Sequence, residues 1–128
     1  MGYVIHCDNV LFAVVTVVEG DIDVPLVTQF AQEAFASGYA HDYIKYLFDL
    51  RDTFVKESIV NIAEFAIQME KTGIRSDYYV AVVIQNNEAE HQLFRALSKN
   101  QGYARIRYFY DIDAAHTWLH QLAESKNG

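Results

Sequence analysis

The chain of 128 residues is 52% apolar and 14% aromatic, with six Gly and one Pro. That composition excludes a disordered or low-complexity chain, and the length suits a single domain with one sizeable core. A net charge of −7 leaves double-stranded nucleic acid and anionic membranes without the basic footprint they require.

In chain order, Tyr3–Cys7 reads as a short strand and Asp8-Asn9 as a turn. Val10–Val18 is nearly continuous and β-branched, as in a strand buried on both faces. It is half the ~20 apolar residues a membrane helix needs, so no membrane insertion is expected. Glu19–Asp23 is a polar break. Val27, Phe30, Ala31 and Ala34 then fall at helical spacing, with Gly38 as the expected stop. Ile44–Leu50 reads as the third strand. Ile59, Ile62, Ala63 and Ala66 form a second helical stripe ended by Gly73, and Tyr78–Ile84 is the fourth strand. Asn87 with Glu90 resembles a capping pair before the stripe of Ala89, Leu93, Ala96 and Leu97, with Gly102 beyond. Ala104–Tyr110 is the fifth strand, and Ala115, Trp118, Leu119 and Leu122 mark the last helix.

The order β-β-α-β-α-β-α-β-α predicts an α/β fold over residues 1–128. Its five-stranded sheet is mixed and mostly parallel, an antiparallel opening pair followed by sequential right-handed βα units. Such units place the helices mainly on one face. The alternating aromatics Tyr46, Phe48, Tyr79, Tyr108 and Tyr110 would then populate the other, an apolar but hydroxyl-bearing surface suited to a homodimer. Cover by the N-terminal strand and C-terminal tail is the competing expectation. Arg105 and Arg107 would protect a sheet edge.

The first basic residue is Lys45, after Asp8, Glu19, Asp21, Asp23, Glu33 and Asp42. No basic leader precedes the apolar runs, and Cys7 is the sole cysteine. Both point to the cytoplasm.

On these elements the chain resembles the STAS/SpoIIAA-like family, the fold of anti-sigma-factor antagonists, from about Val10 to Leu122. Tyr46-Leu47-Phe48-Asp49-Leu50-Arg51 carries the resemblance, together with Val80–Ile84 followed by Leu93-Phe94-Arg95-Ala96-Leu97. So does Tyr108-Phe109-Tyr110-Asp111 leading into Trp118-Leu119. The resemblance implies a SpoIIAA-like topology and a regulatory, non-catalytic role. The antagonists carry a D-S-x-G stretch after the third strand, with a phosphorylated serine. The ungapped match places Glu57-Ser58-Ile59-Val60 there, with Glu for Asp and no glycine. Ser58 is thus the candidate phosphoacceptor, and a helix-capping serine is the alternative.

Ligands of open α/β sheets bind at the carboxyl ends of the parallel strands. The expected rim holds Glu19, Asp21, Asp23, Asp49, Asp52, Glu57, Asp111 and Asp113 against only Arg51 and Lys56. It favours a basic protein surface or a cation over a phosphate. The candidate interaction loop comprises Asp49, Arg51, Asp52, Thr53, Lys56, Glu57 and Ser58.

No phosphate-cradling glycine motif and no nucleophile elbow occurs, so no cofactor, metal or catalytic set is assigned. Asp111 or Asp113 is expected to cap the last helix. His116 and His120 have metal-clamp spacing but are expected at the surface. Two other classes compete with the interaction module. One is a small-molecule binder or carrier with a pocket between sheet and helices, lined by aromatic strands and by Ala63 and Ala66. The other is a metal-assisted hydrolase using the strand-end aspartates.

Overall fold

A computed structural model describes residues 2–85 and 88–122. Strand β1 (Gly2–Asp8) and strand β2 (Ala13–Ile22) form an antiparallel hairpin. Its corner is closed by Asp8, whose Oδ1 accepts hydrogen bonds from the amides of Val10 (2.9 Å) and Leu11 (3.0 Å). Then come helix α1 (Val24–His41), strand β3 (Lys45–Val55) and helix α2 (Ile59–Ile67). A 3₁₀ turn (Met69–Thr72) leads to strand β4 (Tyr79–Val83), helix α3 (Ala89–Asn100), strand β5 (Ile106–Phe109) and helix α4 (Ile112–His120). The sheet order is β1-β2-β3-β4-β5, with every pair after the first parallel.

Two expected boundaries move, for identifiable reasons. The polar stretch Glu19–Ile22 continues β2, because it pairs with Asp52–Val55 of an equally long β3 after a register shift between Val17 and Glu19. β3–β4 pairing ends at Asp49–Val83, so β2 and β3 run on past β4 as a two-stranded ribbon. Asp49, Arg51, Asp52 and Thr53 therefore lie on strand β3, and only Lys56, Glu57 and Ser58 lie in the loop.

Helix α1 also exceeds its apolar stripe. Asp23 caps it by accepting from the Leu26 amide, and Pro25 sits in the first turn, where its missing N–H is harmless. Gly38 is not its stop. The helix runs through it to His41 and ends on Asp42 at φ 60°. Gly38 instead lies directly against the Tyr46 ring of the sheet. A Cβ there would stand 2.5 Å from Cζ and 2.6 Å from Cε1 of Tyr46, and closer still to its hydroxyl oxygen.

β3 divides the interior. Tyr46, Phe48 and Leu50 face α1, α2 and α3, joining Phe30, Phe35, Val80, Val82 and Ile106 in the larger core. Phe35 packs edge-on to Tyr46 at 4.7 Å between ring centroids. Leu47 faces the other way, with Ala13, Val15, Ala81 and Val83, against Ala115 and Leu119 of α4. Lys45 is also buried, and its Nζ donates to the Leu119 carbonyl at 2.9 Å. A cation thus sits at the negative C-terminus of α4, on a carbonyl that also accepts from the Leu122 amide at 3.2 Å.

This arrangement corrects the expected tyrosine face. Helix α4 packs on the side left by α1–α3. Tyr46 and Phe48 are buried under α1, and Tyr108 packs against His91 of α3. Tyr79 meets Trp118 of α4 on the opposite side, and Tyr110 is exposed beyond the end of β5. These residues therefore do not form one common sheet face. Arg105 lies over the Tyr79 ring at 4.5 Å, and Arg107, on edge strand β5, over Trp118 at 5.1 Å.

Gly38→Ala tests this packing. Helix propensity alone would stabilise the variant by about 1 kcal/mol. The crowded Tyr46 ring, held by Phe35 and Tyr78, reverses the sign. A net loss of about 1–3 kcal/mol in urea unfolding is expected; an unchanged or higher midpoint would contradict the contact.

Candidate functional site

The site begins where the β2–β3 ribbon leaves the sheet. At its base Asp49, largely buried, grips Arg51 two residues on. Arg51 Nε donates to Asp49 Oδ1 at 2.9 Å and its Nη2 to Oδ2 at 2.8 Å. Burial would raise the Asp49 pKa, but the Arg51 hydrogen bonds and charge outweigh it and hold the carboxyl below its ordinary range. The pair is thus an internal brace with one half-exposed guanidinium edge. Asp52 beyond it is exposed, while Thr53 is buried and donates its hydroxyl to the Leu50 carbonyl at 2.7 Å.

Glu57 has a role that the sequence did not reveal. Its Oε2 accepts from the Val24 amide, the first of α1, at 2.8 Å. Its Oε1 accepts from the Ser58 amide at 3.0 Å and from Asn61 Nδ2 at 2.7 Å. One carboxylate thereby fastens the start of α1 to the start of α2, where orphan amides and the positive helix ends favour an anion. Those bonds, Val24 first, pull its pKa below the ordinary value. The link joins residues far apart in sequence, so no local motif announces it. Ser58 caps α2, its Oγ accepting from the Asn61 amide at 3.2 Å, and its side chain is exposed.

Around this clamp three large apolar side chains face solvent. Phe54 on the ribbon is 59% exposed, and Ile59 and Val60 in the first turn of α2 are 55% and 65% exposed. In the chain they alternate with the exposed residues Asp52, Lys56 and Ser58. Among the acids of the rim, Asp111 caps α4 by accepting from the Asp113 amide at 3.0 Å. His116 and His120 are exposed on α4. Among the described residues, no three His, Cys, Asp or Glu side chains converge as a metal site would require. Asn87 lies outside the described residues, and α3 begins after Glu88 with no side-chain cap bond.

The fold also brings Cys7 to α1, its Sγ 3.5 Å from Ser37 Oγ and 3.7 Å from His41 Nδ1. The same Nδ1 lies 2.9 Å from the Ser37 carbonyl oxygen, which can only accept. Nδ1 therefore carries the proton and is no base for the thiol.

Behind the clamp, between the sheet and helices α1–α3, lies a cavity of about 130 Å³ with almost wholly apolar walls. Phe48, Leu50 and Val82 form its floor, and Ile62, Phe65 and Phe94 line its helical side.

No protein-family model and no curated protein sequence matches the chain. Two solved structures share its fold. An anti-sigma factor antagonist from Mycobacterium paratuberculosis superposes with a TM-score of 0.60 at 17% identity, covering 93% of each chain. An uncharacterised DUF3478-family protein with a SpoIIAA-like fold, from Shewanella loihica PV-4, gives a TM-score of 0.58 at 14% identity. That match covers 92% of this chain and 94% of the other. The chain thus has the SpoIIAA-like α/β fold. Among the described residues, no helix is long and apolar enough to cross a membrane.

The clamp gives a pH signature. The folded Glu57 carboxyl titrates below the ordinary value of 4.5, so its contribution is complete above that pH and is lost as the pH falls through the lower folded value. Glu57→Gln is therefore less stable than the parent at pH 7, and the gap narrows from pH 5 towards pH 3. Urea midpoints across that range measure it; a constant gap would contradict the ionised clamp.

Proposed function

We propose that the chain is a non-catalytic regulatory module of the cytoplasm that recognises a basic protein surface. The recognition surface is the projecting end of β3 together with the start of α2. The observation that carries this reading is the exposure of Phe54, Ile59 and Val60, apolar residues that flank the Glu57 clamp in the chain on both its sides. Apolar anchors ringed by charge are the usual anatomy of a recognition patch. The surrounding rim is acidic, which supports a basic partner. The likeness to an anti-sigma factor antagonist supports a regulatory role by analogy of fold.

Within the candidate loop the residues divide by task. Asp52 and Lys56 are available to a partner. Asp49, Arg51, Thr53 and Glu57 hold the frame. Ser58 is the position for a phosphoryl switch: it is exposed at a helix N-terminus, which favours added negative charge, and adjoins Glu57, which opposes it. Phosphorylation there would strain the clamp and alter the patch.

The test uses a photo-reactive residue at position 54 in cells producing the chain, with the same residue at exposed position 39 as control. A partner captured at 54 and not at 39, and lost about tenfold or more in Asp52→Lys/Val60→Glu, is expected. The variant's thermal midpoint should stay near that of the parent. Capture that is equal at both positions, or unchanged in the variant, would refute this surface.

The cavity favours a second reading, a small-molecule-binding domain, because it lies where sheet and helices meet and has apolar, aromatic walls.

A further inference from the structure

We propose that the cavity between the sheet and helices α1–α3 binds a small, uncharged, aromatic or compact apolar molecule. This deepens the second reading above and is independent of the partner surface.

Size is the first argument. The cavity, about 130 Å³, is close to the volume of engineered apolar cavities that stay dry and take up a benzene-sized ring. It is far too small for a nucleotide or a long acyl chain.

Wall chemistry is the second. The walls carry the rings of Phe30, Phe48, Phe65 and Phe94, with Phe65 and Phe94 stacked at 5.7 Å between centroids. Rings of this kind reward an aromatic guest with edge and face contacts beyond simple burial. The uncharged polar side chains are few, and on the α3 side buried His91 packs edge-on to Tyr108 at 5.7 Å. Burial holds the His91 pKa down and the Tyr108 pKa up, so both are neutral near pH 7. They offer hydrogen bonds to a guest with one N–H, hydroxyl or carbonyl group.

Charge is the third argument, and it sets the class. No Lys or Arg lines the cavity, whereas Asp23, Glu57 and Glu90 do. All three lie at or beside helix starts, and two are already engaged there: Asp23 caps α1 and Glu57 spans the two helices. An anionic guest would enter past carboxylates without a counter-ion, at a desolvation cost that nothing offsets. Carboxylates and phosphates are therefore excluded, and the apolar walls, which cannot solvate a buried charge, select an uncharged guest over a cation.

Indole and benzoate, similar in size but opposite in this respect, are the probes for an NMR titration of the full chain at pH 7. Indole is expected to shift the methyl signals of Leu50, Ile62 and Val82 saturably, with benzoate at least about tenfold weaker. Val82→Phe, which fills the void from the floor, should abolish the indole response and raise the melting midpoint. If that variant does not fold, contacts between indole protons and the Leu50 and Val82 methyls in the parent decide the matter. Their presence supports the site. Their absence, a non-saturable response, or benzoate binding as tight as indole would overturn it. None of these outcomes depends on capture of a protein at position 54.

Discussion

The structure depends on the two-sidedness of one strand. β3 lies in the middle of the sheet, and its period of two sends Tyr46, Phe48 and Leu50 to one core and Lys45 and Leu47 to the other. A slip of one residue would drive Lys45 under α1 and Tyr46 under α4. Neither exchange is tolerable. Tyr46 needs the absent side chain of Gly38, and Lys45 needs the Leu119 carbonyl. The register of the central strand thereby fixes where α1 and α4 dock. It also fixes the point at which the ribbon emerges beyond β4.

Function is built on what that register leaves over. The sheet runs in simple sequence from β1 to β5 and so lacks the reversal of strand order at which open α/β sheets form their ligand crevice. The rim accordingly offers a projecting ribbon and two helix starts rather than a cleft. Glu57 makes that projection a defined surface, since one carboxylate satisfies amides of both α1 and α2. The concave volume lies instead inside the larger core. Its apolar, aromatic walls give an apolar guest surface to bury there.

Much of the fold was legible in the sequence, because alternation and helical spacing are local signals. The element order, the antiparallel opening pair and the parallel remainder all follow from them, as does the SpoIIAA-like topology. What was not legible depended on distant partners. Glu19–Ile22 looks like a polar break and becomes strand only because β3 extends beside it. Gly38 looks like a helix stop and is instead a space for a ring on β3. The tyrosines looked like an exposed face because nothing in their spacing shows that α4 crosses to the far side. At the site, Asp52 and Ser58 were found as surface residues. Glu57 was found without its role, since its first partner is the amide of Val24, 33 residues away. Phe54 and Val60 are ordinary apolar residues until their exposure is known, and Ile59, read into the apolar stripe of α2, is instead 55% exposed.

The claim that unites this account is that a single carboxylate preorganises the junction of α1 and α2. Amide hydrogen exchange at Val24 and Ser58 reads it directly. Both amides should exchange slowly in the parent near pH 7 and markedly faster in Glu57→Gln, with the amides of β3 and β4 unchanged. Rapid exchange of both amides in the parent, or equal protection in the variant, would contradict it.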